Sequence, residues 1–186
     1  MRNLFLCSGA ALLVCLGTVA LFAFFPAQPS HNILTKAHEL TRKYQARITN
    51  GKYIIVIDYD LPVFMPRLWV IERESGEIIV RSRVSHAWNS GVLMASAFSN
   101  TPGTNQSSIG AFVTADSYQG RFGYSMRIVG LEDGINDKAL ARAIVFHARR
   151  SDLWSLGCFM TRPEVNTRII DLTKNGTFVY VHRSQH

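Results

Sequence analysis

The sequence is poor in the residues that hold small exported domains or metal centres together. Only Cys7, Cys15 and Cys158 occur in 186 residues, and no Cys-x-x-Cys pair is among them. A disulfide framework and a zinc site built on paired thiols are therefore excluded. Charged residues make up 18% of the chain and form no long run of one sign, which excludes a disordered polyelectrolyte or a charged tail. Repeats and low-complexity tracts are absent, so a solenoid or collagen-like chain is excluded as well. A nucleic-acid binder would need a basic cluster with interleaved aromatics, and none is found.

What is present is a chain long enough for one domain with its own core, 47% of it hydrophobic. Arg2 is the only charged residue before Lys36. It precedes a nearly continuous apolar stretch from Leu4 to Phe25, then the softer run Pro26-Ala27-Gln28-Pro29-Ser30. A basic end followed by an apolar segment is the pattern of export. The stretch is long enough to span a bilayer and lacks a small-x-small cleavage site near its end. Residues 1–30 thus read as a signal peptide or, in preference, an uncleaved N-terminal membrane anchor with Arg2 on the cytoplasmic side. The expected location is periplasmic or otherwise extracytoplasmic. Cys7 and Cys15 lie in this segment, which leaves Cys158 without an intrachain partner in an oxidising compartment.

From Lys36 onward there are 19 basic and 13 acidic residues, an excess that suits an anionic polymer or a membrane surface. Ile33, Ala37, Leu40, Tyr44 and Ile48 recur every three or four residues, and predict an amphipathic helix that ends before Asn50-Gly51. Residues 31–52 read as that helix and a linker, and 53–186 as the main domain. Strands are predicted over Tyr53–Tyr59, Arg67–Arg73 and Glu77–Ser85, with a turn at Ser75-Gly76. A polar, turn-rich loop spans Ala87–Ser107, a length that marks functional loops more often than idle ones. Further strands are predicted over Ile109–Thr114, Tyr124–Leu131, Ala143–His147 and Thr177–His182, with helices over Asn136–Arg142 and Pro163–Leu172. The sum is a mainly β (α+β) domain with two or three helices.

Two residues stand out chemically. The apolar strand Ala143-Ile144-Val145-Phe146-His147 delivers a histidine at its end, and Ser155-Leu156-Gly157-Cys158 follows. An imidazole within hydrogen-bond reach draws a thiol toward the nucleophilic thiolate. Gly157 permits a tight turn, and successive amides there are candidate oxyanion donors. A bare His–Cys spacing is also met by structural residues. A zinc site from His86, His147 and Cys158 is the weaker alternative, because it lacks closely spaced ligand pairs.

The run Ala143–Met160 resembles the active-site signature of L,D-transpeptidase (YkuD-type) catalytic domains. The similarity extends through Arg67-Leu68-Trp69-Val70-Ile71, Val84-Ser85-His86, Phe98-Ser99-Asn100-Thr101-Pro102-Gly103, Gln106-Ser107-Ser108-Ile109-Gly110 and Gly123-Tyr124-Ser125. It covers about Tyr53 to His182. The resemblance implies an L,D-transpeptidase-like β-sandwich or barrel with a few helices. It implies Cys158 as the nucleophile that forms a thioester with a peptidoglycan tetrapeptide stem and releases D-alanine, and His147 as base and then acid. It also implies amides of Gly157 and Cys158 as oxyanion donors, and Ser155 as the residue that shapes the turn. His86, Arg149 and Arg162 are candidate substrate contacts, with loop packing an equal alternative for His86 and a solvated loop charge the alternative for each arginine. Leu156 before the glycine, Ala148 after the histidine and Phe159-Met160 after the cysteine depart from many members. An amine acceptor gives a transpeptidase, water a carboxypeptidase, and a retired site a non-catalytic wall-binding module. Peptidoglycan stem peptides and a membrane are the expected partners, nucleic acid is not, and nothing in the sequence calls for a metal or organic cofactor.

Overall fold

A computed structural model describes residues 27–149 and 153–184. The apolar segment before residue 27, and with it the anchor reading, lies outside the described residues. Among those described, no helix is long and apolar enough to cross a membrane. The elements are α1 (His31–Lys43), β1 (Tyr53–Asp58), β2 (Leu68–Glu72), β3 (Ile78–Ser82), β4 (His86–Ala87), β5 (Gly110–Gly120), β6 (Gly123–Gly130), β7 (Val145–Ala148), β8 (Trp154–Ser155), β9 (Phe159–Thr161), α2 (Pro163–Thr173) and β10 (Phe178–His182).

Eight strands form one strongly curved, nearly closed sheet in the order β3-β2-β1-β10-β5-β6-β7-β9, and β4 and β8 make a small second sheet. Most neighbours are antiparallel, whereas β1 runs parallel to β10 and β7 parallel to β9. The apolar runs of β1 and β10 follow from burial on both faces. Ile55, Ile57, Val179 and Val181 enter the main core with Leu68, Val70, Phe112, Phe146, Ile169 and Ile170. The alternate residues Ile54, Val56, Phe178 and Tyr180 pack instead with Ile33, Ala37 and Leu40 of α1. Helix α2 lines one face of the sheet and α1 the other. The α1 stripe is the one its spacing predicts. Ser30 caps its start by accepting the Ile33 N–H at 3.5 Å, and Arg42 and Lys43 in its last turn complement the helix dipole. The predicted single helix stops at Lys43, however, and continues only as a 3-10 turn over Gln45–Arg47.

Two further expectations fail for local reasons. Residues 136–142 form successive turns rather than a helix. Asn136 draws the backbone away, its Nδ2 donating to Ile109 O and Ala111 O at 2.8 and 3.0 Å while its Oδ1 accepts the Glu132 N–H. Strand β5 runs six residues past Thr114, through the polar Asp116, Ser117 and Gln119, because it pairs with β6 as a projecting hairpin. Phe122 stands at its tip. Strands β8 and β9 were not predicted, being two and three residues long.

Arg67, just before β2, is fully enclosed. Its Nε and Nη2 donate to Val84 O at 3.0 and 2.8 Å, Nη1 donates to Leu61 O at 2.9 Å, and Nη2 reaches His86 Nδ1 at 2.9 Å. The guanidinium also lies over the Tyr59 ring, 4.9 Å from its centroid. Burial lowers its pKa to about 10, so it stays charged at neutral pH. Truncating it leaves two buried carbonyls and an imidazole nitrogen without their donor. Arg67→Leu is expected to lower the unfolding free energy by about 3 kcal/mol in urea denaturation.

Candidate active site

Cys158 stands between β8 and β9, and each of the two is paired with a strand that precedes it in the chain. β8 pairs in parallel with β4, Trp154 opposite His86 and Ser155 opposite Ala87. β9 pairs in parallel with β7, which sets His147 opposite Met160, two residues beyond the cysteine. The turn between them is closed by hydroxyls. Ser155 Oγ accepts the Gly157 N–H at 3.1 Å and donates to Cys158 O at 2.7 Å, and Ser85 Oγ donates to the same carbonyl at 3.1 Å. Gly157 has φ +128°, and a Cβ there would lie 2.6 Å from Ile144 Cδ1. Glycine is thus favoured by the backbone conformation, and a larger residue would in addition push the end of the Ile144 side chain aside.

The Cys158 thiol is partly exposed at the floor of a cleft of about 590 Å³ shared with His147, Arg149, Trp88, Trp154 and Phe122. It does not bond to the imidazole. Its Sγ donates to Ala143 O at 3.6 Å, where Ala143 adopts a left-handed conformation (φ +54°) at the entry to β7. In the resting chain the backbone at the start of β7 holds the thiol. Catalytic hydrogen bonds often tighten only when substrate is bound. Burial pushes the thiol pKa up, while the Val145 amide and the Arg142 charge pull it down.

His147 is itself buried, with Nδ1 donating to Ala148 O at 3.2 Å, which leaves Nε2 as the acceptor. Desolvation lowers its pKa, so the ring is neutral and able to take a proton at pH 7. Phe122 stacks on it, ring centroids 4.4 Å apart and planes 18° from parallel. Trp88 and Trp154 meet edge to face at 5.0 Å on another wall, where Trp154 Nε1 donates to Val92 O at 2.7 Å. Phe122, Trp88 and Trp154 carried no signal in sequence, because only the hairpin and the loop bring them to the thiol.

Arg142 is a second residue that sequence reading passed over. Its guanidinium staples the long loop, with Nη1 donating to Ser99 O and Ser108 Oγ at 2.5 and 2.6 Å and Nη2 donating to Gln106 O at 2.6 Å. The region predicted to be irregular is therefore ordered, and the same charge stands near the thiol. Of the two roles expected for His86, substrate contact and loop packing, its surroundings fit the second. It is 0% exposed, its Nδ1 accepts from Arg67 and its Nε2–H donates to Gly91 O at 2.8 Å. With both nitrogens engaged it is also lost to any zinc set with His147 and Cys158. Among the described residues the one grouping with metal-ligand spacing is Asp58, Asp60 and His182. There Asp60 is already held by His182, Arg183 and Ser184. Arg149 lines the cleft, whereas Arg162 lines a neighbouring groove.

These environments set two expectations. Burial lowers the His86 pKa to about 4, against about 6.5 when unfolded. The unfolded chain takes the proton first, so this contribution is present above about pH 6.5 and lost as pH falls toward 4. Chemical denaturation between pH 7 and 4 is expected to show a loss on the order of 3 kcal/mol from this residue, and a shallower slope in His86→Gln. His147 shifts in the same direction, so the difference between the two chains is the quantity to read. Removing the Arg142 charge takes away one of the influences that lower the thiol pKa. In Arg142→Gln the pH profile of Cys158 alkylation is expected to move upward, with a several-fold slower rate at neutral pH.

The sequence profile of the L,D-transpeptidase catalytic domain matches residues 27–182. No curated protein matches the chain. Among solved structures, the helical cell shape determining protein Pgp2 from Campylobacter jejuni superposes with a TM-score of 0.51 at 12% identity, covering 75% of this chain and 49% of that one. An L,D-transpeptidase from Mycobacterium smegmatis matches with a TM-score of 0.45 at 13% identity, over 72% of this chain and 59% of its own. One from Enterococcus faecium gives 0.47 at 14%, over 71% and 50%. This chain thus spans about half to three-fifths of the length of these three solved chains. At such identities the likeness is one of fold. The profile match covers most of the sequence and includes His147, Ser155, Gly157 and Cys158: the chain belongs to the L,D-transpeptidase catalytic domain family.

Proposed function

We propose that this chain is an extracytoplasmic peptidoglycan L,D-transpeptidase that works through a Cys158 thioester, with residues 1–30 as its export signal or anchor. The observation that carries the reading is the placement of Cys158. A hydroxyl-locked turn presents its thiol at the floor of an aromatic cleft whose wall holds a neutral histidine.

In the first half-reaction His147 takes the thiol proton as Sγ attacks the carbonyl carbon of the L-centre before the terminal D-alanine. The oxyanion is met by the Cys158 amide, since the Gly157 N–H is already bonded to Ser155 Oγ. Collapse breaks the C–N bond, and His147 returns its proton to the departing D-alanine amine, leaving the thioester. In the second half an amine from another stem attacks the thioester carbon, His147 removes its proton, and the C–S bond breaks to restore the thiol. Phe122, stacked on the ring, keeps His147 in plane and shields it from bulk water. The basic excess of the domain favours approach to an anionic wall polymer.

The test is mass spectrometry of purified tetrapeptide muropeptides incubated with the chain and with Cys158→Ala. The expected result is loss of D-alanine with formation of cross-linked dimers, falling at least about 10³-fold in the variant. Loss without dimers would assign a carboxypeptidase with water as acceptor. No Cys158-dependent change from well-folded protein would overturn the enzymatic reading in favour of a wall-binding module.

A further inference from the structure

Next to the catalytic cleft lies a second groove, of about 330 Å³, which shares Arg149, Leu153 and Met160 with it. Its other charged lining residues are Arg83 and Arg162, and among the described residues no Asp or Glu lines it. Neither Arg83 nor Arg162 has an ion-pair partner among the described residues. Arg83 and Arg162 thus give this groove a positive wall.

A further feature points to a ligand. Thr161, on the same wall, is 4% exposed, and its Oγ1 has no hydrogen-bond partner among the described residues. A buried hydroxyl is normally satisfied, so an orphaned one beside a groove is a donor awaiting an acceptor. Helix α2 starts at Pro163, directly after Arg162, with no side chain capping its N-terminus. The first turn of α2 also carries Glu164, so the groove's positive charge comes from the two guanidinium groups rather than from the helix end.

The groove is also rigidly joined to the nucleophile. Arg149 N–H donates to Thr161 O at 2.9 Å, which fixes these neighbours across the ends of β7 and β9. Ser85, on the groove wall, accepts the Met160 N–H and donates to Cys158 O. Arg83 precedes Val84, whose carbonyl is held by buried Arg67.

We infer that this groove is a carboxylate subsite, in which Arg83, Arg162 and Thr161 hold a free carboxylate of a peptide stem while another part of that stem, or its partner stem, occupies the Cys158 cleft. The inference rests on the peptidoglycan reading and names which feature of the substrate is gripped. Planar carboxylates suit guanidinium donors, and a hydroxyl fills a remaining lone pair.

The test uses the full chain carrying Cys158→Ala, so that binding is read without turnover. Isothermal titration would compare a synthetic tetrapeptide stem ending in D-alanine with analogues in which each free carboxylate is amidated in turn. One amidation is expected to weaken binding about tenfold. The Arg83→Gln/Arg162→Gln pair is expected to weaken the unmodified peptide by a similar factor and to leave that amidated analogue unaffected. Thr161→Val should give a smaller loss with the same selectivity. The identity of the sensitive carboxylate tells whether the subsite grips the end that leaves or the part that remains. Affinity that no amidation alters, or an arginine effect shared equally by acid and amide, overturns the subsite. Turnover by the unmodified chain is scored separately. The acid–amide split without Cys158-dependent product removes the enzymatic reading and keeps the subsite, whereas product without the split removes the subsite alone.

Discussion

A single buried guanidinium holds together the parts of the molecule that meet at the cleft. Arg67 is wholly enclosed, yet its donors go to two backbone carbonyls and a histidine rather than to a carboxylate. Such a charge persists inside a protein only when its donors are met, and here meeting them joins three segments. The Leu61 loop, the Val84-Ser85-His86 stretch and the start of β2 are bound to one side chain. His86 then passes the constraint on to Gly91 and the polar loop, and β4 passes it to β8, the strand leading into the Cys158 turn.

The nucleophile is thus positioned from two sides by unrelated means. On one side short strands and hydroxyls close the turn, Ser155 and Ser85 both donating to the Cys158 carbonyl. On the other, Ala143 in a left-handed conformation turns its carbonyl to the thiol, and the adjacent Arg142 ties the loop over Ser99–Ser108 to the same spot. Burial raises the thiol pKa and keeps His147 neutral, so the resting pair is uncharged. On the proposed mechanism, charge separates only when a substrate fills the cleft, which protects the thiol, since the thiolate is the more readily oxidised form.

The readable parts of the fold were those governed by periodicity. The strands β1, β2 and β10 and both helices follow from apolar runs and stripes; Cys158, His147 and Gly157 stood out by residue type and spacing, and Ser155 through the family resemblance. Asn136–Arg142 misled because a helical composition says nothing of an asparagine whose side chain is claimed by carbonyls near β5. The outer half of β5 was invisible because polar residues on a projecting hairpin carry no alternation. Arg67 was noticed only within a quoted motif and Arg142 not at all, since a lone arginine in sequence looks like any solvated charge.

The sequence by itself determined a mainly β chain with a single cysteine beyond its apolar N-terminal segment and a histidine at the end of a buried strand. Those are properties of local pattern and residue chemistry. Only the tertiary structure decided which groups surround that cysteine and what lies next to its cleft: Phe122 on the imidazole, Ala143 O on the thiol, Arg142 across the loop, and in the adjoining groove the three arginines beside Thr161. They are separated along the chain by up to about 80 residues, and the curvature of one sheet brings them together. Distances and desolvation, which set both pKa and reactivity, exist only after that sheet has formed.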